Sequence, residues 1–148
     1  MRYTILFTIF LVILLGGCSK DKFGTTPTLK IKSVNTTELR SGESLVFTLT
    51  FTDAEGDISN SLYAEKIVPY CANSSFSQNY PVPQFPSTKN ERGDLTVTFT
   101  YNSSDPSYSN ISPQCQMNDT AVFRFAITDK ANHTSDTISS APIVLIYQ

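Results

Sequence analysis

The chain has 148 residues, of which 40% are hydrophobic, and its 11 lysines and arginines nearly balance its 13 aspartates and glutamates. This balance, without any basic patch, excludes the electrostatic footprint on which nucleic-acid binding depends. Once a leader is removed, about 130 residues remain, which predicts one domain with a self-sufficient core.

The first segment, residues 1–17, has the order of a signal peptide. Arg2 gives a positive start, and residues 5–15 form an apolar run that is shorter than the about 20 residues a membrane-spanning helix needs. The motif Leu15-Gly16-Gly17-Cys18 then resembles the lipobox of bacterial lipoproteins. The resemblance implies cleavage before Cys18, acylation of its thiol and of the new N-terminus, and stable attachment to a membrane. An ordinary signal peptide or short membrane anchor that happens to contain a cysteine is the alternative.

Residues 18–27 are predicted to be an acylated cysteine followed by a flexible tether, since charged residues, Gly, Thr and Pro follow one another without periodicity. Within it, Lys20-Asp21-Lys22 resembles the signals that direct Bacteroidetes-type lipoproteins to the outer face of the outer membrane. Those signals usually carry two adjacent acidic residues, whereas here Lys22 follows Asp21. The resemblance implies an outer-membrane location, on either the periplasmic or the cell-surface face.

Residues 28–148 are dominated by a period of two, the pattern of strands with one buried face. Residues 44–52 and 94–101 alternate large apolar side chains with threonines, which indicates antiparallel strands with one wet face. Weaker strands are predicted at 28–34, 62–68, 121–128 and 137–147, the last interrupted by Pro142. Six or seven short strands in about 120 residues predict an all-β fold, an immunoglobulin-like antiparallel β-sandwich.

Two stretches, FTLTFTDAEGDIS at 47–59 and FRFAITDKANHTSDTISS at 123–140, each run from a strand into a polar loop. They resemble the fibronectin-III and cadherin-like sandwiches of Bacteroidetes-type surface lipoproteins. Much of that group has no known activity, so the resemblance implies a fold more than a function.

The first of these loops places Asp53, Glu55 and Asp57 on alternate residues, and the second contains Asp129 and Asn132. In an immunoglobulin-like sandwich both loops lie at the same end. Crowded carboxylates repel one another unless a cation lies among them, and Ca²⁺ takes six to eight such oxygens at about 2.3–2.6 Å. We therefore consider a calcium site built from these five residues. The alternative is an ordinary polar turn with solvated carboxylates, which the spacing alone favours.

Cys71 and Cys115 remain as a pair once Cys18 is acylated, and in an oxidising compartment a disulfide is expected. It would join two long loops at the end opposite the acidic residues. Two free buried thiols are the alternative.

Aromatic residues in the same loops form a candidate ligand surface: Tyr70, Tyr80, Phe85 and Tyr108. Tyrosine offers a rigid apolar face with a polar tip, which suits a sugar ring or a protein partner. The alternative is that these rings cover the end of the sandwich and hold its loops down.

Catalysis has little support, because His133 is the only histidine and no strained nucleophile turn accompanies it. The sequence thus predicts a lipid-anchored, non-enzymatic binding or structural module, with Ca²⁺ at its acidic end as one hypothesis beside the ordinary polar turn. The alternatives are an accessory glycan-binding protein that uses the tyrosine-rich loops and, with least support, a hydrolase.

Overall fold

A computed structural model describes residues 23–103 and 105–148, so the predicted signal peptide and Cys18 lie outside the described residues. Within them, regular structure consists of strands and one 3₁₀ turn at Ala72–Ser74, and no helix is long and apolar enough to cross a membrane. The strands, in chain order, are β1 Thr28–Val34, β2 Glu38–Leu39, β3 Ser44–Asp53, β4 Ser61–Ile67, β5 Phe76–Pro81, β6 Glu91–Thr100, β7 Ser109–Asn110, β8 Asp119–Thr128, β9 Ile138–Ser139 and β10 Ile143–Leu145.

These strands form two sheets, in the orders β1-β3-β6-β7 and β2-β10-β8-β4-β5, with β9 pairing to β8. All long pairings are antiparallel, while the two-residue strands β2 and β7 add in parallel at sheet edges. Seven strands exceed two residues. The predicted all-β sandwich of six or seven strands is therefore confirmed, with three two-residue strands added to it.

The core lies between the sheets, where the predicted alternation places one face of each long strand. Phe47 of β3 is fully buried, with its ring centroid 5.3 Å from that of Phe123 and 5.0 Å from that of Phe125, both on β8. Phe51, on the same face of β3, lies over Gly93 of β6, where a Cβ atom would be 2.7 Å from the ring. Glycine is required at this position in the strand because the ring occupies the space of a side chain.

Two segments differ from the sequence prediction. Residues 76–81 form β5, although their sequence FSQNYP has no alternating apolar face, because β5 is an edge strand that pairs with β4 and is largely exposed. The predicted last strand, 137–147, is split into β9 and β10, and Pro142 lies in the break. A proline cannot donate a hydrogen bond to a sheet, which explains the interruption.

The sandwich has two distinct ends. We call the end with loops 53–60 and 129–134 the acidic end, and the opposite one the disulfide end. At the disulfide end, β4 finishes beside the start of β8, with Ile67 opposite Val122. Cys71 and Cys115 follow and precede these strands, and they form the predicted disulfide, with Cα atoms 6.0 Å apart.

A buried ion pair lies near the disulfide end. Lys66 occupies an inward position of β4, and its ammonium donates to Asp119 Oδ2 and to the Ile111 carbonyl, at 2.9 Å in each case. Both charged side chains are fully buried. Burial lowers the pKa of Lys66 from its ordinary value, against the opposing effects of the hydrogen bond to Asp119 and its charge. A buried charge pair of this kind depends on both partners.

Candidate functional site

Three carboxylates converge at the acidic end, as the sandwich topology predicts. Asp53 ends β3, Asp57 lies in the following loop, and Asp129 follows β8. One carboxylate oxygen from each lies within 4.8 Å of the other two. Asp53 and Asp129 are fully buried and Asp57 is half-buried. The two predicted ligand-bearing loops thus bring their acidic groups together, with two of the three carboxylates buried.

Backbone hydrogen bonds hold this geometry. Asp53 Oδ2 accepts the amide hydrogens of Gly56 at 2.6 Å and Asp57 at 3.2 Å, which curls the loop around the carboxylate. The Lys130 amide donates to the Asp57 carbonyl at 3.0 Å and ties the two loops together. Asp129 Oδ1 accepts the His133 amide hydrogen at 2.8 Å. The main chain therefore holds the Asp53 and Asp129 carboxylates in place, and it positions Asp57 through the backbone of that residue.

Other carboxylate oxygens near the first loop have no such support. Asp53 Oδ1 and Asp57 Oδ1 are buried and have no hydrogen-bond partner among the described residues. Glu91 Oε2 is in the same situation, and Glu91 stands directly opposite Asp53 in the β3–β6 ladder. Burial, and to a lesser extent the charge of Asp53, raise the pKa of Glu91 above its ordinary value. Unpaired buried carboxylate oxygens are costly, because desolvation is not compensated.

Glu91 is a carboxylate beside the site that the sequence analysis missed. It lies before the predicted start of its strand at residue 94, and only the pairing with β3 places it beside Asp53. The alternation of β6 offers a signal, since Glu91 and Gly93 continue the inward series of Leu95 and Phe99. We define the acidic cluster as Asp53, Asp57, Glu91 and Asp129.

The acidic cluster fits a hard divalent cation. Ligands on opposite sides of a Ca²⁺ ion stand about 4.6–5.2 Å apart, twice the metal–oxygen distance. The mutual spacing of the Asp53, Asp57 and Asp129 oxygens, within 4.8 Å, meets that requirement. The donors are carboxylates, which Ca²⁺ prefers over nitrogen or sulfur ligands. Asp53 Oδ1 and Asp57 Oδ1 are the unpaired atoms that a cation among these three carboxylates would satisfy, and Glu91, opposite Asp53, adds negative charge beside them.

The other two predicted ligands, Glu55 and Asn132, lie at the edge of the acidic cluster. Glu55 is exposed and comes together with Asp129 and His133 rather than with Asp53 and Asp57. Asn132 is exposed and adopts a left-handed backbone with φ of 69°, and its amide donates to the Asp129 carbonyl at 3.2 Å. This backbone conformation is one that asparagine tolerates better than most residues, so Asn132 closes the turn.

Gly56 shapes the first loop and provides a test of it. Its φ is 70°, and a Cβ atom would lie 2.1 Å from the Thr88 carbonyl oxygen. We expect Gly56→Ala to lower the free energy of unfolding by about 1–3 kcal/mol, measured by urea denaturation, because the loop must move off the Thr88 backbone. Gly42→Ala is the matched control, since Gly42 has φ of 86° but open space around its Cβ position. Equal losses in both variants would show that only backbone strain matters.

His133 lies beside the acidic cluster with 43% of its side chain exposed, and its Nδ1 is 3.0 Å from Asp129 Oδ2. The two cysteines among the described residues are bonded to each other, so neither pairs with His133 as a nucleophile.

The predicted ligand-binding aromatics do not form one cluster. Phe85 lies at the acidic end, where its ring packs 6.0 Å from that of Phe51 and its amide donates to Ser59 Oγ. Tyr70, beside the disulfide end, is 90% exposed. Only Tyr80 and Tyr108 come together, in a pocket between the edges of the two sheets. The expectation of a shared aromatic end fails because Tyr80 lies in the unpredicted strand β5 and because Phe85 follows that strand to the acidic end.

No protein-family model matches the chain, and no curated protein matches its sequence. Among solved structures, the sporulation control protein Spo0M from Bacillus subtilis is similar over 83% of this chain and 50% of its own, with 12% identity and a TM-score of 0.45. A β-glucosidase from Listeria innocua, solved as a D270A mutant with laminaribiose, is similar over 80% of this chain and 16% of its own, with 15% identity and a TM-score of 0.44. The chain thus spans half or less of the structures it resembles.

Proposed function

We propose that this protein is a lipid-anchored outer-membrane module, attached through Cys18, that acts in binding or in envelope structure without catalysis and is stabilised by Ca²⁺ at the acidic cluster. The anchor rests on the lipobox resemblance. The metal rests on one observation above all, the three buried carboxylate oxygens of Asp53, Asp57 and Glu91 that have no hydrogen-bond partner among the described residues.

The balance of energies supports a bound cation. Without one, the buried carboxylates of Asp53 and Asp129 lie beside the half-buried Asp57, with Glu91 opposite Asp53, and the repulsion and desolvation destabilise the folded chain. A divalent cation reverses the sign of these interactions, because each unpaired oxygen gains a charged partner. The role that follows is structural, since Ca²⁺ would join the β3–β4 loop to the loop after β8.

The metal is tested by thermal unfolding of the mature domain in EDTA and in excess CaCl₂. At a Ca²⁺ concentration 100 times the Kd, binding adds about 2.7 kcal/mol to the free energy of unfolding, so Tm should rise by several degrees. Asp57→Asn should abolish most of that rise, and Glu91→Gln, which removes a neighbouring negative charge, should reduce it. In EDTA they should be as stable as the unaltered protein or more so, because they relieve repulsion.

Asp136→Asn is the matched control, because Asp136 is exposed and lies outside the acidic cluster. It should keep the full Ca²⁺ response. The same Tm in EDTA and in CaCl₂ for the unaltered protein would refute the metal, and a response that survives Asp57→Asn would place the ion elsewhere. The anchor has its own test: metabolic labelling with a palmitate analogue should be lost in Cys18→Ala.

A further inference from the structure

A pocket of about 230 Å³ opens on one flank of the sandwich, between β5 of one sheet and β6 with β7 of the other. We call it the flank cleft, and its walls include Tyr80, Val82, Leu95, Val97 and Tyr108. Among the described residues, the outer edge of β6 pairs with β7 only at Phe99 and Thr100. The cleft exists because no long strand covers this flank.

The two tyrosines of the flank cleft differ in how they are held. The Tyr80 ring meets Phe99 edge-on with centroids 6.5 Å apart, and its hydroxyl lies 2.6 Å from Ser109 Oγ in a hydrogen bond. Tyr80 is therefore a fixed wall. Tyr108 is 45% exposed and is carried by a turn in which the Ser107 amide donates to Asp105 Oδ1 at 2.9 Å. One ring is thus locked in the wall while the other is presented to solvent at the rim.

The remaining lining defines the chemistry of a ligand. None of the described residues that line the flank cleft is charged, and hydroxyls come from Thr96, Thr98, Ser107 and Ser109. The Ser109 hydroxyl is already hydrogen-bonded to Tyr80. A charged ligand would find no ionic partner in the cleft, and a purely apolar one would provide no hydrogen bond for the hydroxyls of Thr96, Thr98 and Ser107. A neutral molecule with an apolar face and hydroxyl edges fits both features. Sugar rings have this character, and aromatic faces suit them.

We propose that the flank cleft binds one unit of a neutral carbohydrate, with Tyr108 against a face of the sugar ring and Tyr80 as the rigid opposite wall. The volume lies below the about 300–1,000 Å³ of common small-molecule pockets, so a single unit enters and the rest of the chain stays outside. This inference rests on the proposed role as a binding module. It does not depend on Ca²⁺, because no member of the acidic cluster lines the cleft.

An extended peptide that adds to the open edge of β6 is the competing occupant. The cleft exposes only the residues from Leu95 to Thr98 along that edge, since β7 pairs with the next two. A peptide paired with so few residues would form few main-chain hydrogen bonds, and it would make little use of the tyrosines and hydroxyls that line the cleft. The lining therefore favours the sugar.

The test is an NMR titration of the mature domain with cellotriose, maltotriose, mannotriose and N-acetylchitotriose, with trigalacturonate as the charged counterpart. We expect at least one neutral trisaccharide to bind at millimolar concentration or below, with amide shifts centred on β5 and β6, and trigalacturonate to bind more weakly. Tyr108→Ala should weaken binding about tenfold or more. Tyr70→Ala, which removes the same side chain from outside the cleft, should leave it unchanged.

Four sugars without any shift would overturn the inference, as would binding that Tyr108→Ala leaves intact. Shifts of β6 amides with a peptide of alternating threonine and valine, and none with sugars, would assign the cleft to strand addition instead. Because Tyr108 is outside the core, the variant should remain folded, which circular dichroism verifies. Sugar binding that fails while the Ca²⁺ response persists refutes this inference alone, and the opposite result refutes only the metal.

Discussion

Lys66→Met is expected to cost the domain about 3–5 kcal/mol of unfolding free energy. The substitution keeps the length of the side chain but leaves Asp119 as a buried carboxylate without its cation. Asp119 Oδ1 already has no hydrogen-bond partner among the described residues, so the remaining charge would have little compensation. Urea denaturation followed by circular dichroism measures the loss, and a Tm scan measures it if the variant is too unstable at 25 °C.

The double variant Lys66→Met, Asp119→Leu separates the loss of a partner from the loss of packing. Because it removes both charges, its stability should return to that of the unaltered protein or exceed it. Lys32→Met is the matched control at the surface, since Lys32 pairs with Asp94 at 2.6 Å with both side chains exposed. That variant should lose less than about 1 kcal/mol. A double variant as unstable as Lys66→Met would show that the two side chains stabilise the fold by more than cancelling each other's charge.

Loss of the disulfide is the second large effect. Replacing Cys71 and Cys115 together by alanine should lower the free energy of unfolding by about 4 kcal/mol, from the chain-entropy cost of a loop with a sequence separation of 44. The unfolded chain gains freedom while the folded contacts change little. Urea denaturation of the double variant provides the measurement.

Reduction of the unaltered protein with dithiothreitol should reproduce this loss, and the same reagent should not affect the double variant. The Ca²⁺ response should persist in both, because the acidic cluster lies at the other end of the sandwich. A double variant as stable as the oxidised protein would contradict the expectation.

The sequence predicted the strands in which apolar residues recur at every second position. Strands β3 and β6 carry apolar residues at every second position, so burial of one face follows from periodicity alone. The convergence of Asp53 with Asp129 followed from topology, since loops at one end of such a sandwich come together. Strand β5 was missed because an exposed edge strand requires no apolar face, and its pairing with β4 is visible only in three dimensions.

Register was the information that the sequence lacked. Glu91 is opposite Asp53, and Lys66 reaches Asp119, because particular residues face one another across or between strands. Glu91 and Lys66 both occupy inward positions of strands with alternating buried residues, and this placement is visible in the sequence. A charge at an inward position predicts a partner or a bound ion, because an unpaired one would destabilise the fold.

The path by which the chain enters the domain has a consequence for its orientation. The Gly24 carbonyl accepts the Ala54 amide hydrogen at 3.1 Å, so the N-terminal segment joins the sandwich next to the acidic loop. Only six residue steps separate Gly24 from Cys18, a reach of about 20 Å when extended. Under the proposed function, an acylated Cys18 would therefore keep the acidic end within about 20 Å of the bilayer surface. Cations concentrate at a negatively charged membrane surface, so the anchor would place the acidic cluster where its proposed ion is most abundant.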